Sequence, residues 1–178
     1  MINFQHISSD SELLNSIEKL YLESFPPEER RDFSKIRNLL NKAASQFNII
    51  AMSDSNGFIG FLSYWSFANY IYGEHFAVEP SRRGGGIGSM VIDKFKEIAG
   101  NKPIILEVEV PLDEMSKRRI GFYERLGFIL RNDIFYFQPP YEEGMNGLEL
   151  KLMHTGNLEK SLLEKYSEEI KKVVYGIK

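Results

Sequence analysis

Cysteine is missing from all 178 residues of the sequence. Its absence excludes disulfides, thiolate metal sites and a cysteine nucleophile. The three histidines, His6, His75 and His154, are far apart and show no metal-ligand spacing, so we expect no metal site. No apolar run approaches the roughly 20 residues that span a bilayer, and the N-terminus lacks the basic and apolar regions of a signal peptide. We therefore expect a cytoplasmic protein with no membrane partner.

An excess of charge of one sign is also missing. The 22 basic and 25 acidic residues give a net charge of −3, which argues against nucleic acid as a main partner. Any phosphate group must therefore be bound by local cations. With 43% hydrophobic and 13% aromatic residues, the chain has enough apolar material for the core of one domain of ordinary size.

The most constrained stretch of the sequence is a glycine-rich turn that precedes a helix. Residues 76–78 favour a strand, Pro80 ends it, and residues 82–88 supply two arginines and four glycines before the helix-period run that starts at Ile87. Glycines allow positive φ and bring backbone N–H groups close to an anion, and a helix N-terminus adds about half a positive charge. The stretch therefore predicts a pyrophosphate site.

Two common phosphate loops do not fit this stretch. A Walker loop needs Gly-Lys-Ser/Thr, which is missing, and the dinucleotide fingerprint would meet Val91 where its third glycine should stand. The spacing thus disfavours ATP or NAD as the ligand. The pattern that does fit is R-x-x-G-x-G, formed by Arg83, Gly86 and Gly88. It resembles the coenzyme A loop of the GNAT superfamily of N-acetyltransferases.

A second motif carries the same resemblance. The string Phe-Tyr-Glu-Arg-Leu-Gly-Phe at 122–128 is similar to the F-Y-x-x-x-G-F that ends the fourth helix of many GNAT enzymes. The sequence departs from the family at Ser116 and Arg119, where many members have asparagine and alanine. We expect that Ser116 could still donate a hydrogen bond to the coenzyme.

The order of predicted elements agrees with an α/β fold of the GNAT type, in which helices flank a mixed central sheet of about seven strands. Ser9 and Glu12 form a predicted capping box for the first helix, which must end before Pro26. Strands are predicted at 2–7, 47–52, 57–67, 70–78, 104–110, 129–138 and 147–153, and helices from about 10, 32, 86, 119 and 157. Since strand, helix and strand form a crossover, the strand at 104–110 should lie parallel to the one that ends at Val78.

The last predicted helix extends beyond what the GNAT fold requires. We therefore expect a GNAT domain over residues 1–155 and a C-terminal helical extension over 156–178. Its apolar stripe could pack on its own domain or on a second subunit, so a monomer and a homodimer both remain open.

The resemblance implies transfer of an acetyl group from acetyl-coenzyme A to a primary amine, by direct attack in a ternary complex and without a metal. The sequence does not identify the acceptor, which could be a polyamine, an aminoglycoside, an amino-acid derivative or a protein N-terminus, and we expect a small molecule rather than a protein. The resemblance also implies that Tyr123 protonates the leaving thiolate. The coenzyme contacts it implies are Phe76, Ala77, Val78, Arg83, Gly84, Gly85, Gly86, Ile87, Gly88, Ser89, Ser116 and Tyr123.

The base that takes the amine proton is predicted to be a carboxylate. Glu74 lies on the strand that would hold the acetyl group, where many family members carry an acidic base, and Glu107 and Glu109 on the neighbouring strand compete with it. An isolated carboxylate in an apolar strand should have a raised pKa, which suits a base near neutral pH. We rank Glu74 first and Glu107 second.

Two loops are candidates for acceptor binding. They span residues 25–31 and 139–146, and each could equally be a plain connection. An alternative function on the same fold is a non-catalytic module that binds or senses acyl-coenzyme A. Such a module would need the glycine-rich turn but not Glu74 or Tyr123.

Overall fold

A computed structural model describes residues 1–177 as one seven-stranded sheet with helices on both faces. The strands are β1 (Asn3–His6), β2 (Phe47–Asp54), β3 (Gly57–Ser66), β4 (Ile71–Val78), β5 (Ile104–Glu109), β6 (Ile129–Gln138) and β7 (Leu148–His154). The helices are α1 (Leu14–Ser24), α2 (Phe33–Asn41), α3 (Ile87–Ala99), α4 (Glu114–Arg125) and α5 (Lys160–Tyr175). Short 3-10 turns occupy Pro27–Glu29 and Pro80–Arg82.

The sheet has the order β1-β2-β3-β4-β5-β7-β6, and β4 and β5 are its one parallel pair within residues 1–177. The crossover through α3 explains this, and the predicted parallel arrangement and sheet size are confirmed. The pairing of β4 and β5 covers three positions, from Ile71 with Ile104 to Gly73 with Leu106. Beyond them the strands separate and leave a V-shaped opening.

Two predicted helix boundaries agree with the structure, and one predicted helix cap is wrong. Pro26 limits α1, which ends at Ser24, and Asp32 caps α2 by accepting a hydrogen bond of 2.8 Å from the Ser34 N–H. The predicted capping box of Ser9 and Glu12 is wrong, because α1 begins after Leu13 with no side-chain cap. Residues 8–11 instead form a turn in which the Ser11 N–H donates to the Ser8 carbonyl.

Two apolar layers cover the sheet. One contains α3, α4 and residues such as Val91, Ile92 and Phe95. The other contains α1, α2 and α5, and α5 contributes Leu163, Tyr166, Ile170 and Val174. The apolar stripe of the C-terminal extension therefore packs on its own domain. Across residues 1–177, no helix combines the length and apolar character that crossing a bilayer requires.

Candidate active site

The opening between β4 and β5 is a cleft with a volume of 410 Å³. Strand separation creates it, because each strand turns away from the other after the third paired position. Side chains from β4, β5, α4, the loop after α1 and the loop after β6 meet there. They include Phe25, Glu29, Glu74, His75, Phe76, Arg83, Glu107, Glu109, Arg119, Tyr123, Gln138 and Tyr141.

A β-bulge in β4 changes which side chains face the layer of α1 and α2. Ser63 pairs with His75 and Tyr64 pairs with Gly73, so Glu74 is an extra residue without a partner on β3. Consecutive residues then point to the same face: Glu74 contacts Arg31, and the His75 ring packs on Tyr21 at 4.9 Å between centroids. Bulges commonly redirect side chains in this way beside active sites.

The backbone beyond the bulge is aimed at the cleft. In an antiparallel pair, successive residues direct their N–H and C=O groups alternately to one neighbour and the other. The Glu79 N–H donates to the Ile59 carbonyl of β3, so the groups of Phe76 and Val78 point the other way, to the separated side. The Val78 carbonyl accepts a hydrogen bond of 3.0 Å from Arg83 Nε. The predicted coenzyme strand, with Ala77 between these two residues, therefore borders the cleft.

The glycine-rich turn ends in a helix N-terminus with free backbone donors. Gly84, Gly85 and Gly86 have φ of 95°, 58° and 78°, which L-residues with side chains rarely adopt. Gly86 is the N-cap of α3 and no side chain caps the helix, so the N–H groups of Gly88 and Ser89 are open to an anion. The N–H of the third predicted contact, Ile87, donates to the Gly84 carbonyl at 3.3 Å.

Gly88 has a different reason to be glycine. A Cβ there would lie 3.1 Å from Cζ of Phe122, which is tighter than ordinary packing. Gly88 therefore lets α3 approach α4, and this contact joins the two sequence motifs. Arg82 is paired with Asp54, whereas Arg83 lines the cleft.

Tyr123 of α4 lines the cleft, as the resemblance implied. Burial raises the pKa of its hydroxyl to about 12, and the nearby charge of Arg119 opposes that rise. The hydroxyl is therefore protonated at neutral pH and has a proton to donate.

Glu74 is not the isolated carboxylate that the sequence suggested. Its side chain is 1% exposed and forms an ion pair with Arg31. It also accepts hydrogen bonds of 3.0 Å from Trp65 Nε1 and from the Tyr141 hydroxyl. A cation and two hydrogen-bond donors therefore surround this carboxylate, and the prediction that Glu74 is isolated is wrong.

Glu107 has the environment that was expected for Glu74. It lies on β5 one residue beyond the last position paired with β4, at the base of the cleft. Burial raises its pKa from 4.5 to about 7, although hydrogen bonds from Tyr136, Tyr175 and Tyr72 lower it. Tyr175 Oη is 2.7 Å from Glu107 Oε2. Glu109, two residues along β5, is instead paired with Arg119 at 2.6 Å.

Ser116 has a structural partner. Its backbone N–H donates to Asp113 Oδ1 at 2.7 Å, and its hydroxyl accepts from the Asp113 N–H at 3.2 Å, which forms a capping box at the start of α4. The side chain is 3% exposed. Its predicted contact with the coenzyme stays a prediction, and this geometry does not favour it.

The two candidate acceptor loops meet beside the cleft. Gln138 Nε2 donates to the Glu28 carbonyl, and Glu142 accepts from the Asp32 N–H at 3.2 Å and pairs with Lys35. Phe25, Glu29 and Tyr141 bring both loops into the cleft wall.

Several cleft residues could not be found from sequence motifs. His75 Nε2 donates to the Glu29 carbonyl at 2.8 Å, which fixes its tautomer, and burial lowers the pKa of the ring. Arg31, Tyr141 and Tyr175 join the site from distant parts of the chain, and their only signal was apolar or loop placement. Within residues 1–177, no three His, Asp or Glu side chains are grouped to hold a metal ion.

Three comparisons place the chain among known proteins. A structure from Bacteroides thetaiotaomicron, described as from the GNAT family, shares 40% identity with a TM-score of 0.91 and 99% of each chain covered. YjbC of Bacillus subtilis, provisionally named an acetyltransferase, is 32% identical over 69% of this chain, and the match spans 61% of that protein's length. A PaiA N-acetyltransferase from Thermoplasma acidophilum in complex with coenzyme A has a TM-score of 0.62 at 16% identity, covering 88% of this chain and 99% of that one, and shows the fold alone. The Acetyltransferase (GNAT) family profile matches residues 12–128, and the chain belongs to this family.

Proposed function

We propose that the protein transfers an acetyl group from acetyl-coenzyme A to a primary amine of a small molecule, with Glu107 as the proton acceptor and Tyr123 as the proton donor. The observation that carries the proposal is that both side chains line one cleft, which also borders the β4 backbone and Arg83 of the glycine-rich turn. In this proposal, an acid on α4 and a base on β5 serve a single reaction centre.

Coenzyme A would bind along the edge of β4. The helix dipole and the N–H groups of Gly88 and Ser89, next to the glycine-rich turn, suit its pyrophosphate, and the backbone of Phe76 and Val78 suits its pantetheine arm. Coenzyme A in complexes of relatives with the same fold supports this mode.

The chemistry needs three contributions from the chain. Glu107 takes a proton from the acceptor ammonium, and the freed lone pair of the amine forms the N–C bond at the thioester carbon. A backbone N–H at Phe76 or Val78 stabilises the oxyanion of the tetrahedral intermediate. When the C–S bond breaks, the Tyr123 hydroxyl protonates the thiolate, and the second proton of the attacking nitrogen restores the tyrosine hydroxyl and leaves the neutral amide. The sequence contains no cysteine, and direct attack requires no covalent enzyme intermediate.

The cleft favours a small, cationic acceptor. Its 410 Å³ lies within the range of sites for small molecules, about 300–1,000 Å³. The contacts between the two acceptor loops restrict the space for a folded protein substrate. Glu29 and Glu107 line the cleft, whereas Glu109 is paired with Arg119, and an ammonium group complements the first two carboxylates.

The test is to measure thiol release from acetyl-coenzyme A with a panel of amines across pH 5.5 to 9.5. The kcat/KM of the parent enzyme should rise through an acidic limb near pH 7. Glu107→Gln should lose this limb and regain rate only where the amine is itself deprotonated. Glu74→Gln, if folded, should keep it.

Two results would change the assignment. A limb that vanishes in Glu74→Gln and persists in Glu107→Gln would make Glu74 the base, as the sequence suggested. Coenzyme A binding without thiol release for any amine would favour the non-catalytic acyl-coenzyme A module.

A further inference from the structure

The C-terminal helix α5 lies outside residues 12–128, the part of the chain that matches the family, yet its last residue contacts Glu107 at the base of the cleft. Tyr175 Oη donates a hydrogen bond of 2.7 Å to Glu107 Oε2. The hydroxyl oxygen of Tyr175 also lies 3.1 Å from Tyr72 Oη and 3.5 Å from Tyr141 Oη. One residue of the extension therefore joins a β4 residue, a loop residue and the carboxylate of β5.

Packing fixes the position of Tyr175. Leu163 and Ile170 of α5 are fully buried in the core, and the Tyr70 hydroxyl bonds to the Tyr166 carbonyl at 3.3 Å. Gly176 ends the helix in the left-handed conformation, with φ of 73°, and its N–H donates to the Lys171 carbonyl. The ring of Tyr175 also packs on Tyr141 at 4.8 Å between centroids. The hydroxyl is thus held on a rigid element.

Three elements around Glu107 supply polar groups, whereas β7 places Leu152 opposite it. Hydroxyls come from Tyr72 on β4, Tyr136 on β6 and Tyr175 on α5, and each donor stabilises the charged carboxylate. Burial and the negative charge of Glu74 act in the opposite direction and raise the pKa of Glu107. The Tyr141 hydroxyl donates to Glu74 and lies 3.5 Å from the Tyr175 hydroxyl, so it lies between the two carboxylates. Arg31, on the far side, pairs with Glu74.

We propose that Tyr175 is a positioning residue for the acetyl transfer, because its hydroxyl orients the Glu107 carboxylate at the base of the cleft and stabilises its ionised form. The inference rests on the proposed role of Glu107. It makes the C-terminal helix part of the active site, since residues 1–155 alone would lack one of the three hydroxyls around this carboxylate.

The experiment compares the parent with Tyr175→Phe, which keeps the ring and removes the hydroxyl. Carboxyl carbons of ¹³C-labelled glutamate report the titration of Glu107 directly, and the signal is assigned by its absence in Glu107→Gln. Without the donor, the pKa of Glu107 should rise by about one pH unit. The acidic limb of kcat/KM should move by the same amount, so that the rate falls about tenfold on the limb and recovers at high pH.

Tyr70→Phe is the matched control. It removes a buried hydroxyl that also bonds to α5, at Tyr166 and Glu169, but does not reach Glu107. The titration of Glu107 and the acidic limb of kcat/KM should stay unchanged in this variant. If the helix had only a structural role, both quantities would change alike in Tyr70→Phe and Tyr175→Phe.

A double-variant cycle gives a second reading. If Tyr175 acts through Glu107, adding Tyr175→Phe to Glu107→Gln should cause no further loss of rate. A full additional loss would overturn the proposal, as would a Glu107 titration that does not move in folded Tyr175→Phe. Failure of the proposed function looks different, because the limb would then persist in Glu107→Gln while the NMR titration still responded to Tyr175→Phe.

Discussion

The guanidinium of Arg31 and the carboxylate of Glu74 form an ion pair whose side chains are 6% and 1% exposed. The pair joins the loop after α1 to the bulge in β4, and Arg31 also lies over the rings of Tyr141 and Trp65 at 5.0 and 5.4 Å. Both charges have lost most of their hydration. The pair therefore affects stability mainly because removal of one partner leaves the other charge buried and unpaired.

We expect Glu74→Gln to lower the free energy of unfolding by about 3–5 kcal/mol, because it leaves the charge of Arg31 buried and uncompensated. Urea denaturation measures the loss. Glu18→Gln is the control, since it breaks an ion pair with Arg37 whose side chains are 37% and 36% exposed and should cost less than about 1 kcal/mol. Equal losses in the two variants would contradict this account of Glu74.

The helix boundaries that were predicted correctly depend on local chemistry. Pro26 cannot continue a helix, and Asp32 needs only the N–H two residues later to act as a cap. Ser9 and Glu12 have the same spacing as a capping box, but local hydrogen bonds between residues 8 and 11 form a turn instead. A pattern of residue types does not decide between these two local uses of polar side chains.

The cleft was predictable in part. Strand order, the crossover and the two glycine motifs located β4, the turn at Gly84–Ser89 and Tyr123. The state of each carboxylate was not predictable, because it depends on partners far along the chain. Glu74 meets Arg31 across 43 residues, and Glu107 meets Tyr175 across 68. The bulge at Glu74 was also not predictable, because the alternation of residue types along β4 does not show where an extra residue is inserted.

The glycine-rich turn gives a binding prediction. Gly86 caps α3 with φ of 78°, so Gly86→Val must either adopt a strained conformation or rotate the N–H groups away from the pyrophosphate. We expect coenzyme A affinity to fall by about tenfold or more, measured by calorimetry. Gly57→Val is the control, because Gly57 has φ of 106° in the turn between β2 and β3, remote from the cleft. It should lose stability and keep the parent's Kd; unchanged affinity in Gly86→Val would remove the turn from the coenzyme site.

Tyr123→Phe tests the proton donor. The ring and its packing on Phe122 and Phe128 remain, whereas the proton for the leaving thiolate is lost. We expect kcat to fall by about 10²- to 10⁴-fold with unchanged coenzyme A affinity. Tyr64→Phe removes another hydroxyl with a raised pKa from the same apolar layer without touching the cleft, so it should keep the parent's kcat. If both variants turn over like the parent, the thiolate takes its proton from water.

The last prediction concerns stability and does not depend on any activity. The pKa of Glu107 lies at about 7 in the folded protein, against an ordinary value of 4.5. Between these two pH values, the folded state therefore keeps a proton on Glu107, whereas the unfolded chain has already released it. The contribution of Glu107 to stability is fully present below about pH 4.5 and is lost as the pH rises through about 7. The loss amounts to about 3 kcal/mol, since one pKa unit corresponds to about 1.4 kcal/mol.

Glu107→Gln resembles the protonated form at every pH and should not suffer this loss. The free energy of unfolding of Glu107→Gln minus that of the parent should therefore grow by about 3 kcal/mol between pH 4.5 and 8, whatever its value at the acidic end. Urea titrations at four pH values measure the difference, and titration of Glu29 or His75 cancels because both proteins contain them. Glu12→Gln removes a carboxylate at an exposed position of the N-terminal turn and is the matched control for the loss of one charge. If the Glu107→Gln difference does not change with pH, the carboxylate ionises at the same pH in the folded and unfolded states, and the three surrounding tyrosine hydroxyls offset the effect of burial.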